Sequence, residues 1–118
     1  MLNLPDGATV HLACGSTDLR KSIDGLAAIV SYTYKLDLST GALFVFCNYS
    51  RDKIKILHWD HNGFWLYYRR LERGKFRWPE HSSEQAAPIS RRQLQWLLDG
   101  LALEQRQAHS PVTERIAA

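Results

Sequence analysis

The segment from Phe44 to Pro79, FVFCNYSRDKIKILHWDHNGFWLYYRRLERGKFRWP, constrains this chain more than any other feature. Two strand-like runs, KIKILHW over 53–59 and FWLYYRRL over 64–71, flank Asp60-His61-Asn62-Gly63. Asn-Gly between such runs is the strongest short-range signal for a β-hairpin, because both residues tolerate the positive φ of a tight turn. Upstream, ALFVFC (42–47) is an unbroken apolar run of strand length and reads as a central strand. Asn48 to Asp52 make the turn that follows it. Arg73-Gly74 offers a second tight turn into KFRW (75–78), and Pro79 stops the sheet. The expectation is an antiparallel β-meander of four to five strands.

Parity sorts the hairpin's side chains. One face takes Lys53, Lys55, Leu57, Trp59, Phe64, Leu66, Tyr68 and Arg70. The other takes Ile54, Ile56, His58, Trp65, Tyr67, Arg69 and Leu71. Ile54, Ile56 and Leu71 are the cleanest aliphatic positions, so the second face is expected to turn toward the core.

Outside this block the periodicity changes. Residues 8–14, ATVHLAC, alternate as a short first strand with Val10, Leu12 and Cys14 on one side, ended by Gly15. Ser16 or Thr17 then caps a helix with Asp18 in its first turn. Leu19, Ile23, Leu26, Ala27 and Val30 form one apolar stripe through residue 33. Gly25, mid-helix, suggests close packing on the sheet. A loop ends at Thr40-Gly41. Residues 80–88, EHSSEQAAP, lack periodicity and read as a linker, after which Ser90 caps a short helix with Leu94, Leu97, Leu98 and Leu101 on one face and Gly100 near its end. The fold class is therefore α+β: the N-terminal helix packs on the meander, and a short C-terminal helix follows. Residues 1–102 make a single compact domain, and 103–118 a frayed tail.

Composition narrows the function. The chain is 45% apolar, against disorder, and its net charge of +3 is only mildly basic. That charge is concentrated: between Arg51 and Arg77 stand eight Lys/Arg against three acids (Asp52, Asp60, Glu72), five positive charges in excess. Basic and aromatic side chains interleave there, and a local surface of that kind attracts nucleic acid. The two cysteines, Cys14 and Cys47, sit in apolar runs as small buried thiols, too few for a disulfide framework. No run reaches the roughly 18 apolar residues of a membrane helix and no signal pattern opens the chain, so a cytoplasmic location with no membrane partner is expected.

The candidate DNA-binding residues are Lys53, Lys55, Arg69, Arg70, Arg73, Lys75 and Arg77, with Arg20, Lys21, Arg91 and Arg92 as a second patch. Lys53 and Lys55 lie across the strands from Arg70, a crowding of like charge that a bound phosphate would relieve. Trp59, Trp65, Tyr67, Tyr68, Phe76 and Trp78 are the candidate aromatic contacts. Enzyme chemistry finds little footing. Asp18, Asp24, Asp37, Asp52 and Asp60 fall where caps and turns use them. His58 and His61 have no second ligand pair at metal spacing, and no P-loop, G-x-S-x-G or G-x-G-x-x-G occurs. No catalytic residue, metal or cofactor is expected.

TDLRKSIDGLAAIV, GALFVFCN, RDKIKILHWDHNGFWLYYRRLERGKFRWP and SRRQLQWLLDGL, in this order, resemble the small accessory (TnpB-type) protein encoded by the second reading frame of the insertion-sequence-66 family of bacterial transposons. The resemblance runs from about Val10 to Leu101. It implies a non-catalytic auxiliary of DNA transposition, working beside a larger transposase that carries the catalytic acids. Family members carry more Arg in the turn where this chain has Tyr49 and Ser50, often Tyr at the place of His58, and D-P-F-S-G where Asp37 to Gly41 stand. Two roles compete. One is DNA binding through the basic, aromatic hairpin; the other is an adaptor that docks on the transposase through the C-terminal helix, with Trp96 as anchor and no direct DNA contact. Both can hold together, and self-association is left open.

Overall fold

The computed structural model describes residues 4, 7–80 and 84–104. Five strands form one mixed sheet: β1 (Val10–Ala13), β2 (Leu43–Cys47), β3 (Lys53–Asp60), β4 (Gly63–Arg70) and β5 (Ala86–Ile89), in the spatial order β4-β3-β2-β1-β5. Among the described residues two α-helices accompany the sheet, α1 (Ile23–Ala28) and α2 (Arg91–Leu98). The class is α+β, but the sheet is not a simple meander. β1 runs parallel to β2, pairing Val10 with Leu43 and Leu12 with Val45. Parallel neighbours need a crossover rather than a hairpin, and the 29 residues from Cys14 to Ala42, α1 included, supply it. The other pairings are antiparallel.

The fifth strand is not KFRW. Residues 75–78 lie outside the sheet, and the linker expected over 80–88 instead contains the start of β5, which adds to the free edge of β1. Pro88 is tolerated in β5 because that strand is an edge. After β4, the Leu71 N–H donates to Asp52 O (2.8 Å) and the Phe76 N–H to Arg51 O (2.7 Å). The chain therefore folds back across the end of the hairpin. In this stretch Phe76 and Trp78 point inward and Lys75 and Arg77 outward.

β2 lies at the centre, and all five of its side chains are buried. Alternation splits them between two cores. Leu43, Val45 and Cys47 join Val10, Leu12, Ile54, Ile56, Phe76 and Trp78 beneath Leu94, Leu97 and Leu98 of α2. Phe44 and Phe46 join Leu57 against Leu19, Leu26 and Val30 of the α1 region. Ile54 and Ile56 are 1% exposed each, as a core-facing set should be, but they meet the C-terminal helix and not the stripe of the N-terminal one. The centre of the sheet is buried on both faces, while the edge strand β4 stays half-buried to exposed.

The two helices begin differently. At α2, Ser90 Oγ accepts from the Gln93 N–H (3.0 Å) while Gln93 Oε1 accepts from the Ser90 N–H (2.9 Å), a reciprocal capping box. It ends at Gly100, whose φ of 83° is easiest for glycine, with the Leu101 N–H donating back to Trp96 O (2.7 Å). Leu101, placed by periodicity on the buried stripe, is past that stop and 42% exposed. α1 is shorter than the stripe suggests. It starts after Ser22, which makes no side-chain cap, and widens into a π-helical turn over Ile29–Thr33. Residues 18–22 stay outside it, so neither Ser16 nor Thr17 is its cap. The nearest neighbour of a Cβ at Gly25 would be the Lys21 side chain, at 3.0 Å, and not the sheet. Leu103 still packs against the α2 core, while 105–118, the expected tail, lie outside the described residues.

Candidate nucleic-acid interface

The hairpin register decides which charges meet. Asp60 pairs with Gly63 and Trp59 with Phe64, so the connection is His61-Asn62, and it is His61 that takes the positive φ (57°) rather than Gly63. The two-residue loop preserves the parity read from sequence. Lys53 stands opposite Arg70, Lys55 opposite Tyr68 and Ile54 opposite Arg69.

The turn before β3 is rigidly built. Asn48 Oδ1 accepts from the N–H groups of Asp52 (3.1 Å) and Lys53 (3.0 Å), and its Nδ2 donates to Asp52 Oδ1 (2.7 Å). Arg51, at φ 64°, points away from solvent, where its Nη1 donates to Gly15 O (3.0 Å) and its Nη2 pairs with Glu80. It is a staple between three loops, and sequence alone gives no sign of that. Tyr49 is left at the tip of the turn, 85% exposed.

Much of the basic charge is already engaged. Lys53 Nζ lies 3.4 Å from Asp52, and Arg70 Nε 2.8 Å from Glu72. Lys55 Nζ donates to the backbone carbonyls of Leu19 (2.7 Å) and Lys21 (3.0 Å), tying the 18–22 loop to β3. Arg20 forks onto Asp18 through Nε (2.9 Å) and Nη2 (2.8 Å), and these bonds hold the Asp18 carboxyl down to about 2. That pairing replaces the helix-start role expected of Asp18. Arg69, Arg73, Lys75 and Arg77 are exposed and make no ion pair among the described residues.

The expected second patch divides. Arg20 lines the same groove as Lys53 and Lys55, so it merges with the hairpin set, and the Lys21 backbone touches Lys55. Arg91 and Arg92 sit at the start of α2, over the opposite face of the sheet; Arg92 lies 5.2 Å above the Trp96 ring. The aromatics divide as well. Trp65 and Tyr68 are 56% and 54% exposed, Trp65 stacks near Tyr67 (6.3 Å), and Trp59 is partly buried edge-on against Phe64. Phe76 and Trp78 are 3% and 7% exposed, and the Trp78 Nε1–H donates to Ala13 O (2.8 Å). Both are core residues with no ring face open to a base.

Among the described residues no three His, Cys, Asp or Glu side chains gather where they could hold a metal. Asp37 caps the 3-10 turn at Leu38–Thr40 by accepting from the Ser39 N–H (2.9 Å). Cys47 is buried, and burial pushes its thiol up to about 11, far from a reactive thiolate. No helix among the described residues is long and apolar enough to cross a membrane.

A small mixed sheet, its centre covered on both faces and a basic, aromatic hairpin at one edge, defines a compact α+β module. The family model described as IS66 Orf2-like protein matches residues 8–108, and the chain belongs to that family, the transposition-associated accessory proteins of IS66-type elements. It is 39% identical over 100 residues to the uncharacterized protein y4hO of Sinorhizobium fredii, covering 83% of this chain and 86% of that one. A second protein of the same organism, y4jC, also uncharacterized, is 32% identical over 79 residues, 67% of this chain and 68% of its own. No solved structure matches the chain.

Proposed function

We propose that this protein is a non-catalytic auxiliary of IS66-type transposition that binds the DNA backbone with the open end of the β3–β4 hairpin and assists a separate transposase. The observation that carries the reading is the facing of Lys53 and Arg70 across the strands; Arg69 on the other face, and Arg73, Lys75 and Arg77 in the segment that follows β4, are exposed as well. Like charges opposed on neighbouring strands destabilise a bare sheet. A phosphate between them converts the repulsion into binding. The Asp52 and Glu72 partners do not prevent this, since exposed ion pairs are worth about 0–1 kcal/mol and exchange readily for a phosphate. Such contacts give affinity and salt sensitivity with little sequence reading.

Filter binding across a salt series tests it. Contact with about four phosphates gives a log–log slope near −3.6 on duplex DNA. Arg69→Ala with Arg70→Ala should flatten that slope by up to about 2 and weaken all sequences alike. The adaptor reading draws on Trp96, whose ring is only partly buried and carries Arg92 above it. If the double variant leaves DNA affinity unchanged while Trp96→Ala abolishes capture of the transposase, the adaptor reading replaces this one.

A further inference from the structure

We propose that the groove between the 16–20 loop, the 48–50 turn and the outer part of β3–β4 is a subsite for one unpaired nucleotide, a reading that rests on the nucleic-acid function above. The groove has a volume of about 820 Å³, inside the roughly 300–1,000 Å³ range of ligand pockets. Its apolar lining is Leu19 and Leu66, both from the core on the α1 face of the sheet. Two aromatic side chains border it, Tyr68 from β4 (54% exposed) and Tyr49 from the turn (85% exposed). Neither ring is consumed by the core. Tyr49 stands on a turn whose backbone Asn48 fixes, so its ring is presented rather than packed.

The charges in the groove fix the ligand's chemistry. Arg20 is neutralised by its fork on Asp18, and Lys53 is offset by Asp52. Lys55 differs: both of its hydrogen bonds go to neutral carbonyls, so its ammonium is held in place with its charge uncancelled. It lies over the Tyr68 ring, 5.9 Å from its centre, and the ring remains 54% exposed. A flat ring beside a fixed positive charge suits a ligand that joins a π-face to an anion, which is what a nucleotide is. A purely apolar ligand would cover the ammonium and strand its charge. Paired bases keep their faces in the duplex stack, so only an unpaired one can lie on Tyr68. The hydroxyls of Ser16, Thr17 and Ser50 on the rim can donate or accept, so no single base is demanded.

The test uses the full-length protein, a short single-stranded oligothymidine and a blunt duplex of equal length, with anisotropy read at low salt. Tyr68→Ala should weaken single-strand binding about five- to a hundredfold, the span of one lost stacking contact, and weaken duplex binding by a much smaller factor. Tyr68→Phe, which keeps the ring, should restore single-strand binding; Tyr49→Ala should repeat the loss in part. If wild type binds duplex with the expected salt slope and Tyr68→Ala leaves single-strand affinity intact, the subsite is overturned and the nucleic-acid reading stands. If wild type binds neither ligand at low salt, both fall. Competition by polyglutamate as strong as that of the oligonucleotide would also overturn the subsite, marking a site for acidic peptide.

Discussion

The two faces of the β3–β4 hairpin handle the same residue types in opposite ways. On the α1 side Lys53, Lys55 and Arg70 are each engaged, by Asp52, by two backbone carbonyls and by Glu72. On the α2 side Ile54 and Ile56 are sealed under α2, and Arg69 extends past them with no ion pair among the described residues. A tally of basic residues treats these faces alike, yet they differ in the charge they can offer. The first face spends part of its charge on structure, most of all at Lys55. The second leaves its charge to the solvent and hides its hydrocarbon.

The largest expected effect tests the buried half of that contrast. Trp78→Ala removes a core indole and the N–H it donates to the Ala13 carbonyl, and should cost about 3–5 kcal/mol; Ile56→Ala should cost about 2–5 kcal/mol. Urea unfolding followed by fluorescence or circular dichroism measures both. A loss below about 1 kcal/mol for Ile56→Ala would mean that the α2 side is not a packed core. On the other face, Lys55→Ala strips a donor from two carbonyls and should cost about 1–3 kcal/mol. Lys53→Ala, losing a half-exposed pair between chain neighbours, should stay within about 1 kcal/mol. Equal costs for the two lysines would erase the distinction between a structural and an available charge.

How much of this was legible follows from the range of each signal. The hairpin, its parity and the α2 cap are local, written in residues a few positions apart, and sequence reading reaches them. The parallel β1–β2 pair and β5 are not local. No residue in VHLA or AAPI announces its partner, and Pro88 argues for a linker unless the strand is known to be an edge. KFRW shows the opposite failure. Its alternation of inward Phe76 and Trp78 with outward Lys75 and Arg77 has a strand's period, but the backbone bonds to the Asn48–Asp52 turn and not to β4. Within the candidate site, the basic positions were readable from composition. Their partners were not, because Lys55 meets Leu19 and Lys21 across 34 to 36 residues of chain. Tyr49 was the missed signal: an aromatic at the tip of a turn has nothing to bury.

A smaller effect separates Arg69 from Arg70 in DNA binding. Each, if it holds one phosphate, contributes about 0.9 to the salt slope. Arg70 must first leave Glu72, so Arg70→Ala should flatten the slope less and weaken low-salt binding less than Arg69→Ala. Glu72→Gln should then strengthen binding, by freeing Arg70 and removing a negative charge from beside the patch. An unchanged affinity in Glu72→Gln would indicate that Arg70 does not touch the phosphate.

The smallest effect lies in β1, which β2 separates from the hairpin and where no DNA contact is invoked, and it serves as the control. His11 in β1 stacks on Phe44 (5.3 Å between ring centres), and its Nδ1 is buried with no hydrogen-bond partner among the described residues. Burial lowers its pKa below the ordinary imidazole value, with Glu84 nearby pulling the other way. Because the folded state resists protonation, the unfolded chain binds more protons once the pH falls below about 6.5. Stability is therefore fully present above that value and declines on acidification, until the folded-state imidazole also protonates. His11→Phe keeps the stacking and removes the titration. Between about pH 7.5 and 5.5, above the ordinary carboxylate range, the urea midpoint of wild type should fall further than that of His11→Phe. Glu84→Gln should widen the fall, since the residue that favours the charged imidazole is gone. Identical shifts in wild type and His11→Phe would show that the stacked ring is hydrated in solution and that this edge of the sheet is looser than the hairpin edge.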